Sequence, residues 1–368
     1  MRYRYSATEN GKLEKKAVIY TRDEHGINFA DVDSEAVSII RKLKNAGYES
    51  YVVGGAVRDL ILGKKPKDFD IASAASPARI KKIFRNSRII GQRFRLVHVY
   101  FGRRIFEVAT FRSLSDGNTS NTFGTIDDDV LRRDFTLNAL FYDPEQQIVV
   151  DYVGGMNDIK NKQIKPIISL SEIFTDDPVR MIRAVKYAAV TGFSIPLNLR
   201  RRISGQSVLL SNVSPSRLTE EIFKIINSDK AADIVDLLDK MKLYHYLQPQ
   251  AALLMKKNPA FRKKYLQRMA ELKGSENKRG KALGSLFYDY LDTMINDWKP
   301  GPTDNYKEIH GLARSFVLPM NPPRFELQYS LKKYLAAHGI TIRRPPLPKL
   351  PEGAAPKRKR RRRRKPSK

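Results

Sequence analysis

The 368-residue sequence has no cysteine, which rules out disulfides, thiolate zinc sites and cysteine nucleophiles and fits a reducing compartment. It has no apolar run long enough to span a bilayer, and its first residues, MRYRYSATENGKLEKK, lack the apolar stretch of a secretory signal. These absences predict a cytoplasmic protein with no membrane partner. Acidic residues are scarce: 39 Asp and Glu stand against 68 Lys and Arg, a formal net charge of +29. That excess points to a polyanion, and nucleic acid comes before an anionic membrane surface because no basic amphipathic helix with bulky apolar residues stands out. Residues 343–368 hold 13 Lys and Arg against one Glu and so supply +12, leaving +17 on the rest of the chain.

With 41% hydrophobic residues the chain is long enough for two or three cored domains. Residues 1–16 are polar and predict a disordered N-terminus. Residues 17–152 alternate strand and helix signals and predict an α+β head. Within it, Asp33 or Ser34 caps a helix with apolar positions from Ala36 to Ala46, Ser76-Pro77 opens a second helix, and Leu96–Phe101 and Arg104–Phe111 form a hairpin through Gly102. The polar stretch between Arg112 and Leu131 reads as a loop. After Thr175 helical periodicity takes over, with a helical neck over 153–228 and a helical body over 229–342. Residues 343–368 are a Pro-rich linker and a basic tail in which Lys357 to Lys365 are nine consecutive cations, including the candidate RNA contacts Lys357, Arg358 and Arg360.

The stretch YVVGGAVRDLILGKKPKDFDIA, Tyr51 to Ala72, carries the most chemistry. It reads as a strand, a Gly54-Gly55 turn, a helix bearing Arg58, and a second strand from Asp68 to Ala72. On that strand Asp68 and Asp70 project from one face while Phe69 and Ile71 enter the core. Adjacent carboxylates disfavour each other's ionisation unless a cation intervenes, and Mg²⁺, with Mn²⁺ as an alternative, takes one or two carboxylates plus water and phosphate oxygens. The glycines let backbone N–H groups approach a triphosphate, and Arg58 is a candidate phosphate clamp. A bare D-x-D is more often a solvated strand face; the glycine turn and the arginine lift this one above that background. A third acid would complete the set, and two candidates exist: Glu107, in IFEVATFR, reads equally well as an edge or surface position, and Asp134, in RRDFTLNA, is favoured because Arg132 and Arg133 could hold it ionised or bind triphosphate. This chemistry is nucleotidyl transfer.

In TDDPVRMIRAVKYAAVTGF, Asp176 and Asp177 precede a helix start at Pro178, and Asp177 and Arg180 are three residues apart. The simple reading is a cap with an i,i+3 ion pair. The sharper one is base recognition, a carboxylate accepting from an exocyclic amine while a guanidinium donates to a ring nitrogen, which suits adenine or cytosine. In GQRFRLVHVYFG, Arg93, Arg95 and His98 alternate with apolar residues, as on a strand with one solvated face, and are candidate RNA contacts.

Together GGAVRDLILGKKPKDFDIA, RRDFTLNAL, DYVGGMNDI, DDPVRMIRAV and SPSRLTEEIFKI resemble the class II nucleotidyltransferases, which comprise bacterial poly(A) polymerases and tRNA CCA-adding enzymes. The resemblance covers about residues 17–227 with the motifs in family order. It implies a DNA polymerase beta-like nucleotidyltransferase head and a metal-dependent enzyme that uses ATP on RNA 3′ ends, with tRNA as a further candidate partner. Its acidic site residues fall on Asp68, Asp70 and Asp134. Its nucleotide-binding residues fall on Gly54, Gly55, Arg58, Arg133, Asp177 and Arg180, with Asp176 where the family usually has Glu. KKPKDFDIA, IIGQRFRLVHVYFG, TRDEHGI and the basic tail resemble the poly(A) polymerase branch; addition of CCA to tRNA is the alternative.

Overall fold

The computed structural model of the protein describes residues 2–7, 13–91, 96–113, 123–274, 281–294, 301–303 and 305–342. A nine-stranded mixed sheet, its central strands buried on both faces and its β6–β7 hairpin alternating between core and outer face, is built from β1 (Arg2–Ala7), β2 (Leu13–Tyr20), β3 (Ser50–Val53), β4 (Asp70–Ser73), β5 (Ser87–Ile90), β6 (Leu96–Phe101), β7 (Arg104–Thr110), β8 (Leu140–Asp143) and β9 (Ile148–Asp151). Their order is β1-β2-β9-β8-β3-β4-β7-β6-β5, and only β4 and β7 pair in parallel. Parallel strands need a crossover, and the helix Pro77–Ile83 with the β5–β6 hairpin fills it.

Two expectations need correction. Of the N-terminus expected to be disordered, residues 2–7 and 13–16 are strand, the rest lying outside the described residues: β1 pairs with β2 and β2 with β9, and Arg4 holds Glu49 at 2.7 Å. The alternation Arg-Tyr-Arg-Tyr is a strand pattern that the surrounding polarity masked. The stretch expected to be a loop ends in the helix Ile126–Leu131, begun by a capping box in which the side chains of Thr125 and Asp128 each bond the other's backbone. Residues 114–122 within it lie outside the described residues.

The helix Ser34–Asn45 starts as expected, with Asp33 accepting from the backbone of Glu35 and Ala36 at 2.9 and 3.2 Å. It buries Ala36, Val37, Ile39, Ile40 and Leu43 on one face. From Ile173 onward helices dominate, with Val179–Thr191 and Pro215–Ile226 next to the head. The body is not purely helical, because Gly301–Thr303 and Ile340–Ile342 form a short parallel pair. Val52 and Ile71 of the sheet share one buried cluster with Met181, Val185, Ile234 and Leu331 of the helices, so one core joins head and helices and fixes residues from both relative to each other. Among the described residues no helix is long and apolar enough to cross a membrane.

Candidate active site

β3 ends at Val53, and the chain turns through Gly54 into the helix Gly55–Ile61. Gly54 has φ 70° and ψ −134°, a conformation that side-chain-bearing residues avoid. A Cβ built on it would lie 3.9 Å from Arg133 Nη1 and 4.0 Å from Asp70 Oδ2, so the turn, a cation and a carboxylate meet at one point.

Asp70 is the first residue of β4, paired with Val53. The strand does not reach Asp68 as expected, because β3 has already turned away at Gly54 and leaves Asp68 nothing to pair with. Asp68 is exposed on the preceding loop. Asp70 is open to solvent yet recessed among protein atoms. That recess pushes its carboxyl up to about 6, with Glu107 and then Asp68 adding to the rise and Arg133 opposing it. Glu107 and Asp68 are thus the two carboxylates close enough to act on Asp70. Ile71 pairs with Val108 in parallel, which places Glu107 beside Asp70 on β7, an interior strand rather than an edge.

Asp134 takes a different place from the one its neighbours in sequence suggested. Its Oδ1 accepts from Arg180 Nε at 2.9 Å and its Oδ2 from Arg183 Nη1 at 2.8 Å. Arg133 turns instead to Asp129, at 2.8 Å from Nη2, and stacks over Phe141. Arg183 also donates to Glu221 at 3.1 Å, which Lys186 and Lys224 contact too. Burial raises the Glu221 carboxyl, but the three cations outweigh it and hold it down at about 2.

Asp177 and Arg180 line the same cleft without the i,i+3 pair that their spacing suggested. Asp177 caps the following helix through the Val179 N–H at 3.1 Å and accepts from Arg217 Nη2 at 2.7 Å. Arg180 gives Nε to Asp134 and Nη1 to Asp176 and the Ile173 carbonyl, leaving Nη2 without a protein partner among the described residues. Arg58 is buried and donates to Asp59 and Asn138 at 2.9 and 2.8 Å, with its guanidinium against Gly55, so it braces the turn from behind.

A cleft of about 390 Å³ gathers Gly54, Gly55, Asp70, Arg133, Asp134, Asp177 and Arg180. Sequence reasoning missed Arg112, Asn138, Arg183, Tyr187 and Arg217, which line it too. The one signal for Arg183 was its place one turn beyond Arg180. The DYVGGMNDI motif is structural: Asp151 accepts from the backbone of Val153, Gly154, Gly155 and Met156 at 2.8–3.1 Å. His98 lies on β6 opposite Glu107, with Nε2 3.4 Å from Oε1. Arg93, Arg95, Lys357, Arg358 and Arg360 lie outside the described residues.

Among the described residues no three acidic or histidine side chains converge tightly enough to hold a cation alone. The Asp70 carboxyl, raised by its recess and by Glu107 and Asp68, stands where a divalent cation could neutralise crowded negative charge.

Residues 50–165 match the family model of the poly A polymerase head domain, and residues 192–255 match that of the probable RNA and SrmB-binding site of polymerase A. Poly(A) polymerase I of Escherichia coli O6:H1 is 40% identical over 260 residues, covering 66% of this chain and 55% of that protein. The CCA-adding enzyme of Geobacillus thermodenitrificans is 36% identical over 219 residues, 58% of this chain and 54% of its own. The chain thus spans about half the length of these curated relatives. Among solved structures, the Bacillus stearothermophilus CCA-adding enzyme in complex with CTP aligns with a TM-score of 0.55 and 25% identity over 82% of each chain. The chain therefore carries a poly(A) polymerase head domain and is homologous to both bacterial poly(A) polymerases and CCA-adding enzymes.

Proposed function

We propose that the chain is a polynucleotide adenylyltransferase that transfers AMP from ATP to RNA 3′ ends without a template and releases pyrophosphate. One observation carries this reading: Asp70, flanked by the charges of Asp68 and Glu107, opens on a cleft that six arginines line and the Gly54 turn closes. Asp68, Asp70 and Glu107 would hold Mg²⁺, which supplies charge neutralisation at the α-phosphate and lowers the cost of a 3′-alkoxide. Gly54 and Gly55 let the triphosphate approach backbone N–H groups, and Arg133, beside the turn, balances its charge.

Asp177 keeps lone pairs beyond its two bonds, and Arg180 keeps Nη2. An exocyclic amine on Asp177 and a ring nitrogen on Arg180 describe adenine or cytosine. Asp134, between Arg180 and Arg183, orients this reader instead of joining the metal set. The adenine choice is supported by the 40% identity to a poly(A) polymerase; CCA addition is the second reading, supported by the solved CCA-adding structure with CTP.

The test is incorporation with Mg²⁺ on an unstructured RNA and on a tRNA lacking its CCA end, each given ATP alone or CTP alone. Long ATP ladders on both RNAs are expected. Two CTP additions confined to the tRNA would move the chain to the CCA-adding branch.

A further inference from the structure

We infer that the solvent face of β5, β6 and β7 is the seat of the RNA 3′-terminal nucleotide, and that His98 reads its 2′-hydroxyl. The inference rests on the proposed transfer reaction and names the part of the site that holds the acceptor.

Strand register carries it. Val53, Asp70, Glu107, His98 and Arg88 lie in one row across β3, β4, β7, β6 and β5. In transfer to a phosphate, the attacking and leaving oxygens stand roughly in line on opposite sides of the phosphorus. The leaving side is set by Gly54 and Arg133, on the β3 side of Asp70. The attacking hydroxyl must then come from the other side, where Glu107, His98 and Arg88 follow.

That face is built for a nucleotide. Tyr100 and Ile105 pair across β6 and β7 two rows away on the same face, Ile105 is 53% exposed, and Tyr100 stands edge-on to His98 with ring centres 6.3 Å apart. Together they offer a base an aromatic and aliphatic surface. Arg88 is exposed and makes no ion pair among the described residues, so it can meet a backbone phosphate.

His98 supplies the selectivity. Its Nε2 edge faces Glu107 at 3.4 Å, and Nδ1 has no partner among the described residues. With Nε2 turned to the Glu107 carboxylate, the ring leaves its Nδ1 edge to the open face of the strand. A hydroxyl can donate to or accept from that nitrogen, and the 2′-hydroxyl is the group by which a protein tells RNA from DNA.

The test compares two RNA oligonucleotides that differ only in a 2′-deoxy 3′-terminal nucleotide with its 3′-hydroxyl intact. Wild-type protein should extend the all-ribo primer with about tenfold higher kcat/KM, the worth of one hydrogen bond. His98→Ala should lose about tenfold on the ribo primer and less than about twofold on the deoxy-ended one, with KM for ATP unchanged. His98→Asn, whose amide can stand near the Nδ1 position, should recover part of the preference. Tyr100→Ala should weaken both primers alike. Equal loss on both primers in His98→Ala, or an undiminished preference, overturns the assignment and leaves this face to a protein partner. The same pair of oligonucleotides measured by equilibrium binding without ATP decides the site even if wild-type protein adds no nucleotide, an outcome that would sink the transfer reading instead.

Discussion

Glu107 on β7 stands beside Asp70 on β4, and of the two carboxylates acting on Asp70 its charge has the larger effect. The pairing of Ile71 with Val108 creates this neighbourhood from residues far apart in sequence. Asp134, which lines the same cleft, is bonded instead to Arg180 and Arg183.

Removing either member of that pair should therefore abolish transfer. Asp70→Ala and Glu107→Ala are each expected to lower kcat about a thousandfold, the equivalent of about 4 kcal/mol of transition-state charge stabilisation. Single-turnover incorporation of AMP checks this, and full activity in Asp70→Ala would end the catalytic assignment.

The raised Asp70 carboxyl sets a pH dependence in the metal-free protein. Its folded value of about 6 lies above the ordinary 3.8, so the native state binds the extra proton between those values. Stability then falls as pH rises from about 4 to about 6 and stays lower above that window. Thermal melts should show Asp70→Asn gaining on wild type across this range, and added Mg²⁺ should raise the Tm of wild type more than that of the variant.

Glu221 has the opposite sign. Its carboxyl is held down at about 2 by Lys186, Arg183 and Lys224 against its burial, so its contribution is present above pH 4.5 and is lost as pH falls toward 2. Glu221→Gln should cost about 3 kcal/mol at pH 7, with the gap to wild type closing in acid. Because Glu221 shares Arg183 with Asp134, KM for ATP should also rise in this variant, as a nucleotide titration would show.

Nucleotide choice should reside in Asp177. Asp177→Ala is expected to lower the preference for ATP over UTP by about 10- to 100-fold, because the exocyclic amine loses its acceptor and Arg217 its partner. Competition between the two triphosphates on one RNA measures it; an unchanged ratio would show that the base is read elsewhere.

Deleting residues 357–368 should weaken RNA binding and flatten its salt dependence, the slope falling by about 0.7 for each phosphate that the tail no longer neutralises, with nucleotide choice intact. Titrations across a salt series decide this, and a parallel line would show that the tail does not touch the RNA.

Much of this was legible in the chain. The helix at Ser34–Asn45, the β6–β7 hairpin, the Gly54 turn and the helical second half follow from short-range rules: capping, apolar period and the backbone freedom of glycine. The motifs named Asp70, Asp177 and Arg180 because their spacing is local. The partners of those residues were not legible. Asp134 sits next to Arg133 in sequence but bonds Arg180 and Arg183, and Arg180 bonds Asp134 and Asp176 instead of Asp177. Long guanidinium side chains choose partners by where packed elements bring them, and the parallel register of β4 and β7 is fixed by a crossover that no local pattern encodes. The sequence by itself determined most of the elements and the candidate residues on them, because capping, period and glycine act locally; only the tertiary structure decided that Glu107 stands beside Asp70 while Asp134 bonds the arginines.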